Sequence, residues 1–483
     1  MNYRMMGKFL SQIMALEAVF LIPALAIGLY CGETAAVKGI LYTVAIIAAV
    51  AGLMYLICRG AGRRFGARDG LACVGLAWIF LSALGALPFV FSGEIPNYID
   101  AFFETVSGFT TTGASILSNV EALPHSLLYW RSFTHWVGGM GVLVFLLAIA
   151  PGGKDSGFTM HLLRAESPGP DVGKLVPKMR LTAIILYVIY IVMTVLDFVL
   201  LLFGKMSVLE ALCTAFGTAG TGGFGVYNDS LTSCSPYIQN VTTVFMFLFG
   251  VNFSCYYLLL LRQFRSVFKD EELRTYFGIV ILAIVIIMLN IRHLYSGWGE
   301  TLRHSAFQVS SIITTTGYTT ADYELWPALS KGVLLFLMVI GACAGSTGGG
   351  LKIARVLLLC KSLRRNTRQL VNPNQVQVVR NNGKSVSETV VSNTQAYLAA
   401  YVIIIIVSYL LISLNGYSVG TNISAVLCCF NNIGPGMEAV GPTCNFGHMS
   451  DLSKLVLSAD MLAGRLEIFP MLILLSRSTW KKQ

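Results

Sequence analysis

The sequence predicts an all-α integral membrane protein: two N-terminal helices followed by four pseudo-symmetric units, each a helix, a pore loop and a second helix. Three observations predict it. Of 483 residues, 55% are apolar and only 12% charged, about half the charged fraction of an ordinary soluble domain. Ten apolar runs recur along the chain, each long enough to cross a hydrocarbon core of about 30 Å as a helix. Between some of them lies, four times, a shorter half-apolar stretch that ends in a glycine-containing turn. Such a stretch is too short and too polar to span, so it reads as re-entrant.

The apolar runs lie near residues 9–30, 38–58, 71–92, 131–150, 181–203, 238–261, 275–292, 332–359, 396–414 and 453–476. The first two form an N-terminal pair, 1–70. The rest group into units 71–180, 181–274, 275–394, with a broken second helix, and 395–483. The first run follows Arg4 and Lys8 without a small-residue cleavage site, and reads as a retained helix rather than a signal peptide. Charge sets the orientation. With the N-terminus inside, segments 1–8, 59–70, 152–180, 262–274, 361–394 and 477–483 carry 24 Lys and Arg, against seven outside. The positive-inside rule therefore places both termini in the cytoplasm. It also accounts for the net charge of +10 without any nucleic-acid partner. Near the outer mouths lie Glu94, Asp100, Glu104, Glu210, Asp229, Glu300, Asp322, Glu324 and Glu438. An acidic vestibule would concentrate cations, though each residue alone also reads as a solvated charge.

The 11 cysteines show no C-x-x-C pair and mostly sit in apolar runs, as buried free thiols do. Cys234 and Cys444 are the pair that could meet on the outer side. The six histidines show no ligand spacing, which argues against a metal enzyme.

The four turns read Thr110-Thr111-Thr112-Gly113, Ala219-Gly220-Thr221-Gly222, Thr314-Thr315-Thr316-Gly317 and Asn431-Asn432-Ile433-Gly434. Their glycines are 109, 95 and 117 residues apart, too long for a solenoid repeat and suited to a two-helix membrane module. A dehydrated cation needs oxygen ligands that a bilayer cannot supply. Backbone carbonyls from four such turns can replace its hydration shell, and irregular backbone is tolerated at that depth only where it is buried or lines a cavity. Glycine reaches the dihedrals that let successive carbonyls face one axis, and threonine hydroxyls hold the turns locally. The candidate filter is Thr111, Thr112 and Gly113; Gly220, Thr221 and Gly222; Thr315, Thr316 and Gly317; and Asn432, Ile433 and Gly434. Short helices over Tyr98–Phe109, Val208–Phe216, Leu302–Ile313 and Gly420–Phe430 would aim their partially negative carboxyl ends at its centre. One T-T-G is weak evidence, and two breaks would suit a transporter with discontinuous helices. Four at the same place in a repeated module favour a pore.

These residues carry a resemblance. Phe103-Glu104-Thr105-Val106-Ser107-Gly108-Phe109 running into Thr110-Thr111-Thr112-Gly113-Ala114, Thr221-Gly222-Gly223-Phe224, Thr314-Thr315-Thr316-Gly317-Tyr318-Thr319-Thr320, Gly345-Ser346-Thr347-Gly348-Gly349-Gly350 and Gly464-Arg465-Leu466-Glu467 resemble the Trk/Ktr/HKT superfamily of K⁺ transporters, in its bacterial TrkH-type form, over the whole chain. The resemblance implies a K⁺ channel pore made from one chain, each turn a degenerate T-V-G-Y-G loop. Plant relatives with Ser in place of the first filter glycine favour Na⁺, so Gly113 implies K⁺ preference. The fourth turn, Asn-Asn-Ile-Gly-Pro-Gly without Thr, departs most and implies looser discrimination against Na⁺.

Gly341 to Lys352 interrupts an apolar segment with five glycines in ten residues. That composition disfavours helix. It is no nucleotide loop, because Lys352 does not directly follow the glycines and no strand precedes them. Small residues at a helix contact would be the plain structural reading; a flexible break facing a cavity is the other. The family places this loop (Gly345, Ser346, Thr347, Gly348, Gly349, Gly350, with Lys352) below the filter, obstructing the pore. Arg465 lies mid-segment, where a charge costs about 2.5–3.5 kcal/mol on insertion scales. It either pairs with Glu467 or Asp460, or faces the cavity and repels K⁺; the resemblance supports the second. Asp197 is intramembrane, either an ion or proton site or locally paired. Glu17 reads as a packing detail.

The expected function is K⁺ (and Rb⁺) uptake through a gated pore across the bacterial cytoplasmic (inner) membrane. The rival is an H⁺- or Na⁺-coupled symporter, which needs a titratable residue near the filter; none of the four turns carries one. K⁺ is the transported ion and no organic cofactor is expected. The resemblance implies a homodimer bound to a cytosolic RCK-type, TrkA-like nucleotide-binding regulatory subunit. The basic loops 152–180 and Lys361–Lys384 are its plausible docking surfaces.

Overall fold

The computed structural model describes residues 2–60, 66–141, 179–375 and 377–480. The last part of the expected run 131–150, most of the basic loop 152–180, part of the segment 59–70 and the basic end 481–483 lie outside the described residues.

Among the described residues six helical spans are long and apolar enough to cross a membrane: Tyr3–Cys31, Thr34–Ile57, Arg68–Ser92, Leu181–Phe203, Glu271–Leu294 and Glu388–Asn415. They are the N-terminal pair and the first helix of each unit. Their outer faces leave Val188, Ile191, Val195, Leu282, Ile403 and Val407 exposed, a costly surface in water and the natural one in lipid.

Breaks in the second helix are not confined to the third unit. His125–Met140 stops at Gly141, which has φ 83°. Pro236–Phe249 and Phe253–Leu260 meet at a 90° bend. Ala328–Val339 and Ile353–Val371 are separated by the glycine-rich loop, and Asp451–Arg465 and Phe469–Leu475 by Leu466 to Ile468. Glu467 and Ile468 both have left-handed φ, 60° and 66°, a real outlier for β-branched Ile468. The sequence signals only the glycine-rich case, because a run of glycines breaks helix by composition whereas the others depend on tertiary partners. At the 90° bend those partners are explicit: the Cys343 N–H donates to the Gly250 carbonyl (3.1 Å) and the Phe253 N–H to that of Gly345 (3.0 Å). Backbone groups freed in one unit are thus satisfied by the loop of the next.

Between the helices of each unit sits a short buried helix: Tyr98–Phe109, Val208–Gly220, Trp298–Ile313 and Val419–Phe430. Three start on a side-chain cap. Asn97 accepts from the Ile99 N–H (2.9 Å), Ser207 from Glu210 (3.4 Å) and Ser418 from Thr421 (3.1 Å), satisfying donors that a helix start leaves free. The chain ends lie together: the Tyr3 ring stacks on Trp480 and its hydroxyl donates to the Trp480 carbonyl (2.7 Å). Both ends therefore share one face. Near the end of the third unit, two extended pairs over Arg380–Asn381 and Lys384–Ser385 form a small antiparallel hairpin.

Candidate functional site

All four short helices end in the same turn. The N–H groups of Thr112, Gly222, Thr316 and Ile433 donate five residues back, to the carbonyls of Ser107, Gly217, Ser311 and Cys428, at 2.8–2.9 Å. The preceding residues, Thr111, Thr221, Thr315 and Asn432, have φ 55°, 54°, 59° and 56°, and the following glycines, Gly113, Gly223, Gly317 and Gly434, 81°, 76°, 85° and 95°. Glycine normally supplies a left-handed helix end. A side-chain-bearing residue there costs about 1–3 kcal/mol and persists only where its surroundings over-determine it. This repetition corrects the register of the second turn: the counterpart of Gly113 is Gly223, not Gly222. Gly222 occupies the place of Thr112, and Gly220 that of Thr110. In the sequence, glycines at 220, 222 and 223 leave two registers open; the left-handed Thr221 decides between them.

The turns close on one another. A Cβ added to Gly113 would overlap the carbonyl oxygen of Gly222, one on Gly223 that of Thr316, and one on Gly317 that of Ile433; on Gly434 it would lie 2.8 Å from that of Thr112. Each unit abuts the next and the fourth returns to the first, which makes a closed ring. The four glycines line one cavity of about 110 Å³ with Tyr227, Asn228 and Asn445. The fourth turn lacks threonine, yet its Asn432 amide donates to the Thr112 hydroxyl and the Met461 carbonyl, both at 3.0 Å. A side chain thereby ties the seam between last and first units.

Residues that the sequence reading missed brace the ring. His135 hydrogen-bonds the Gly108 carbonyl through Nδ1 (2.7 Å) and accepts the Phe224 N–H at Nε2 (3.2 Å), so the neutral tautomer with a proton on Nδ1 joins units one and two. The Tyr318 hydroxyl reaches the Thr214 and Phe224 carbonyls (3.2 and 3.3 Å), joining units three and two. Glu104 is no vestibule acid. It is buried, accepts from Arg131 Nε (2.7 Å), the Ser115 hydroxyl (2.9 Å) and the Ile116 N–H (2.9 Å), while the Arg131 guanidinium lies 3.6 Å from the Phe224 ring centroid. A fully paired, fully bonded charge at this depth fixes geometry more than it attracts ions. Asp100 is likewise held by Lys454 (2.5 Å) and Glu324 by Lys331 (3.4 Å). An acid within an apolar short helix was the available signal for Glu104; nothing local marks His135.

The glycine-rich loop lies against the base of this ring. The Gly349 N–H donates to the Thr315 hydroxyl (2.7 Å). A Cβ on Gly348 would meet the Thr314 carbonyl at 2.9 Å, and one on Gly349 the Asn431 carbonyl at 2.5 Å. The loop is pinched where Gly341 donates to Leu351 (2.9 Å) and Leu351 to Val339 (3.2 Å). Buried Lys352 donates from Nζ to the Gly348 carbonyl across it. Glu272 clamps it from the neighbouring helix, Oε1 accepting from the Ala344 (2.5 Å) and Ala354 (3.1 Å) N–H groups.

Both acids near Arg465 in the sequence have partners of their own. Glu467 takes Arg355, whose guanidinium also covers the Tyr397 ring at 4.0 Å, and Asp460 accepts from Ser408 (2.7 Å). Arg465 donates to the carbonyls of Thr347 in the loop (2.8 Å), and of Gly138 (2.5 Å) and Gly139 (2.7 Å) at the end of the first unit's second helix. Asp197 is buried against the second short helix, beside Thr218, whose hydroxyl donates to the Thr214 carbonyl (2.9 Å). Buried Glu17 lies near Gly85, 3.0 Å from where its Cβ would be. Cys234 and Cys444 are both free.

Comparison with known proteins places this geometry in context. A family model described as TrkH, cation transport protein, matches residues 37–482. The chain is 34% identical over 494 residues to the Trk system potassium uptake protein TrkH of Escherichia coli (strain K12), covering 100% of both chains. It is 31% identical to that organism's TrkG, over 91% of both. The crystal structure of the potassium transporter TrkH from Vibrio parahaemolyticus superposes with a TM-score of 0.89 at 31% identity, covering 100% of both chains.

Proposed function

Because this chain belongs to the TrkH family of cation transport proteins, a family of multi-pass membrane transporters and not of enzymes, we propose that it takes up K⁺, and Rb⁺, by selective permeation through the ring of four turns. The observation that carries this reading is the closure of the ring. Four helix carboxyl ends and four glycine-presented turns meet at one place, as carbonyl coordination of a dehydrated cation requires. The filter comprises Thr111, Thr112 and Gly113; Thr221, Gly222 and Gly223; Thr315, Thr316 and Gly317; and Asn432, Ile433 and Gly434, with Gly220 at the base of the second turn. The gate is the loop Gly345 to Gly350 with Lys352, held closed by Arg465. Its hydrogen bond to Thr315 and its close approach to the carbonyls of Thr314 and Asn431 support this role.

Glu272 positions this gate by accepting from the Ala344 N–H in the loop and the Ala354 N–H in the first turn of the helix that follows it. Glu272→Leu removes that acceptor and is expected to raise basal Rb⁺ efflux from proteoliposomes severalfold at equal reconstituted protein; an unchanged rate would show that the loop holds itself.

The protein sits in the bacterial cytoplasmic membrane with both ends inside, a reading supported by the charge bias and by the contact of Tyr3 with Trp480. A homodimer bound to a cytosolic, TrkA-like nucleotide-binding subunit supplies its regulation. Exposed Arg364, Arg368 and Lys384 offer that subunit a basic surface, whereas Lys361 and Arg365 are occupied by Glu271 and Glu388. One observation favours the second reading, an ion-coupled symporter: Asp197 is a buried acid behind the second turn. Rb⁺ current across planar bilayers separates the two. Reversal near the Rb⁺ equilibrium potential, unmoved by a pH gradient, is expected for the pore; a reversal that shifts with the pH gradient belongs to an H⁺-coupled symporter.

A further inference from the structure

We propose that Cys31, Glu33 and His125 form a site for a thiophilic divalent transition metal of the Zn²⁺ type on the outer face of the protein. Cys31 ends the helix Ile22–Cys31, Glu33 precedes Thr34–Ile57, and His125 opens His125–Met140. The fold brings three different ligand types from two distant stretches of sequence to one point, with their ligand atoms all within 4.8 Å of one another. A tetrahedral zinc centre needs such atoms about 3.5 Å apart, given bonds of about 2.0–2.3 Å. The exposed side chains of Cys31 and His125 can close that difference by small rotations.

Glu33 is the fixed member. Its Oε1 accepts the His125 N–H (2.6 Å) and faces His125 Nδ1 (3.1 Å), and its Oε2 accepts the Ser126 N–H (3.1 Å) and hydroxyl (2.5 Å). His125 Nδ1 and Glu33 Oε1, 3.1 Å apart, already stand near the spacing that two ligands of one tetrahedral ion take. Thiolate with imidazole selects Zn²⁺ or Cd²⁺ over Mg²⁺ and Ca²⁺, which prefer all-oxygen cages. The fourth position stays open to water. A bound ion would clip the N-terminal pair to the first pore unit. Spacing in the sequence hides the site, since residues 33 and 125 share no local motif.

The outward placement rests on the orientation proposed above; the test does not, and it uses no ion flux, so its failure leaves the pore reading intact. In the full chain carrying Cys360→Ser and Cys444→Ser, Cys31 is the one exposed cysteine that remains. Maleimide labelling of Cys31 is expected to slow at least tenfold in micromolar Zn²⁺, to recover with EDTA, and to ignore millimolar Mg²⁺ and Ca²⁺. With His125→Ala added, Zn²⁺ is expected to lose most of this protection. Equilibrium dialysis of the unsubstituted protein, which depends on no variant folding, is expected to find one such Zn²⁺ per chain that Cys31→Ser removes. Undiminished labelling in Zn²⁺, protection that survives His125→Ala, or no bound Zn²⁺ overturns the proposal.

Discussion

Arg465→Ala is expected to raise basal Rb⁺ flux at least tenfold at equal protein level. The guanidinium donates to carbonyls of the loop and of the first unit's second helix, which sets its positive charge beside the gate. A unit charge about 6 Å from a passing cation, at an effective dielectric near 20, raises its energy by about 3 kcal/mol, which is about two orders of magnitude in rate. Removing it also frees the Thr347 carbonyl, and with it one attachment of the loop. Arg465→Lys keeps the charge but not the planar fork that reaches several carbonyls at once, and should fall between wild type and Arg465→Ala. Unchanged or lower flux through Arg465→Ala would remove Arg465 from the gate.

Gly223→Ala is expected to lower Rb⁺ flux by at least an order of magnitude while leaving the protein folded and monodisperse. The native φ of 76° costs an alanine about 1–2 kcal/mol, and its Cβ would overlap the Thr316 carbonyl oxygen. Because the ring is closed, that carbonyl can retreat only by shifting toward the Gly317–Ile433 contact, so one methyl group disturbs more than one unit. Gly332→Ala is the control: nothing lies within 4 Å of the added Cβ, and full flux is expected. Normal Rb⁺ flux through Gly223→Ala would break the equivalence drawn between the four turns.

Much of this was legible in the sequence because the signals are periodic or compositional. Hydropathy marks the N-terminal pair and the first helix of each unit, since those helices are continuous and face lipid. The glycine-rich break announces itself through composition. Interruptions at Gly250 to Asn252 and at Leu466 to Ile468 do not, because their freed backbone groups find partners only in the assembled fold. The same reason hides the register of the second turn, the His135 bridge and the Glu104–Arg131 pair. Arg465 stood out as an expensive charge in an apolar segment, but the sequence offered only Asp460 and Glu467 as partners. The backbone carbonyls it reaches belong to residues more than 100 positions away, which no local pattern encodes.

The central claim is that four unequal turns act as one cation-selective ring. Parallel Rb⁺ and Na⁺ uptake into liposomes, comparing wild type with Gly113→Ser, tests it most directly. The ring account predicts that wild type passes Rb⁺ in preference to Na⁺ and that Gly113→Ser lowers this ratio severalfold, since the new side chain points at the Gly222 carbonyl. No Rb⁺ flux in any condition, regulatory subunit included, or a ratio untouched by Gly113→Ser, would contradict it.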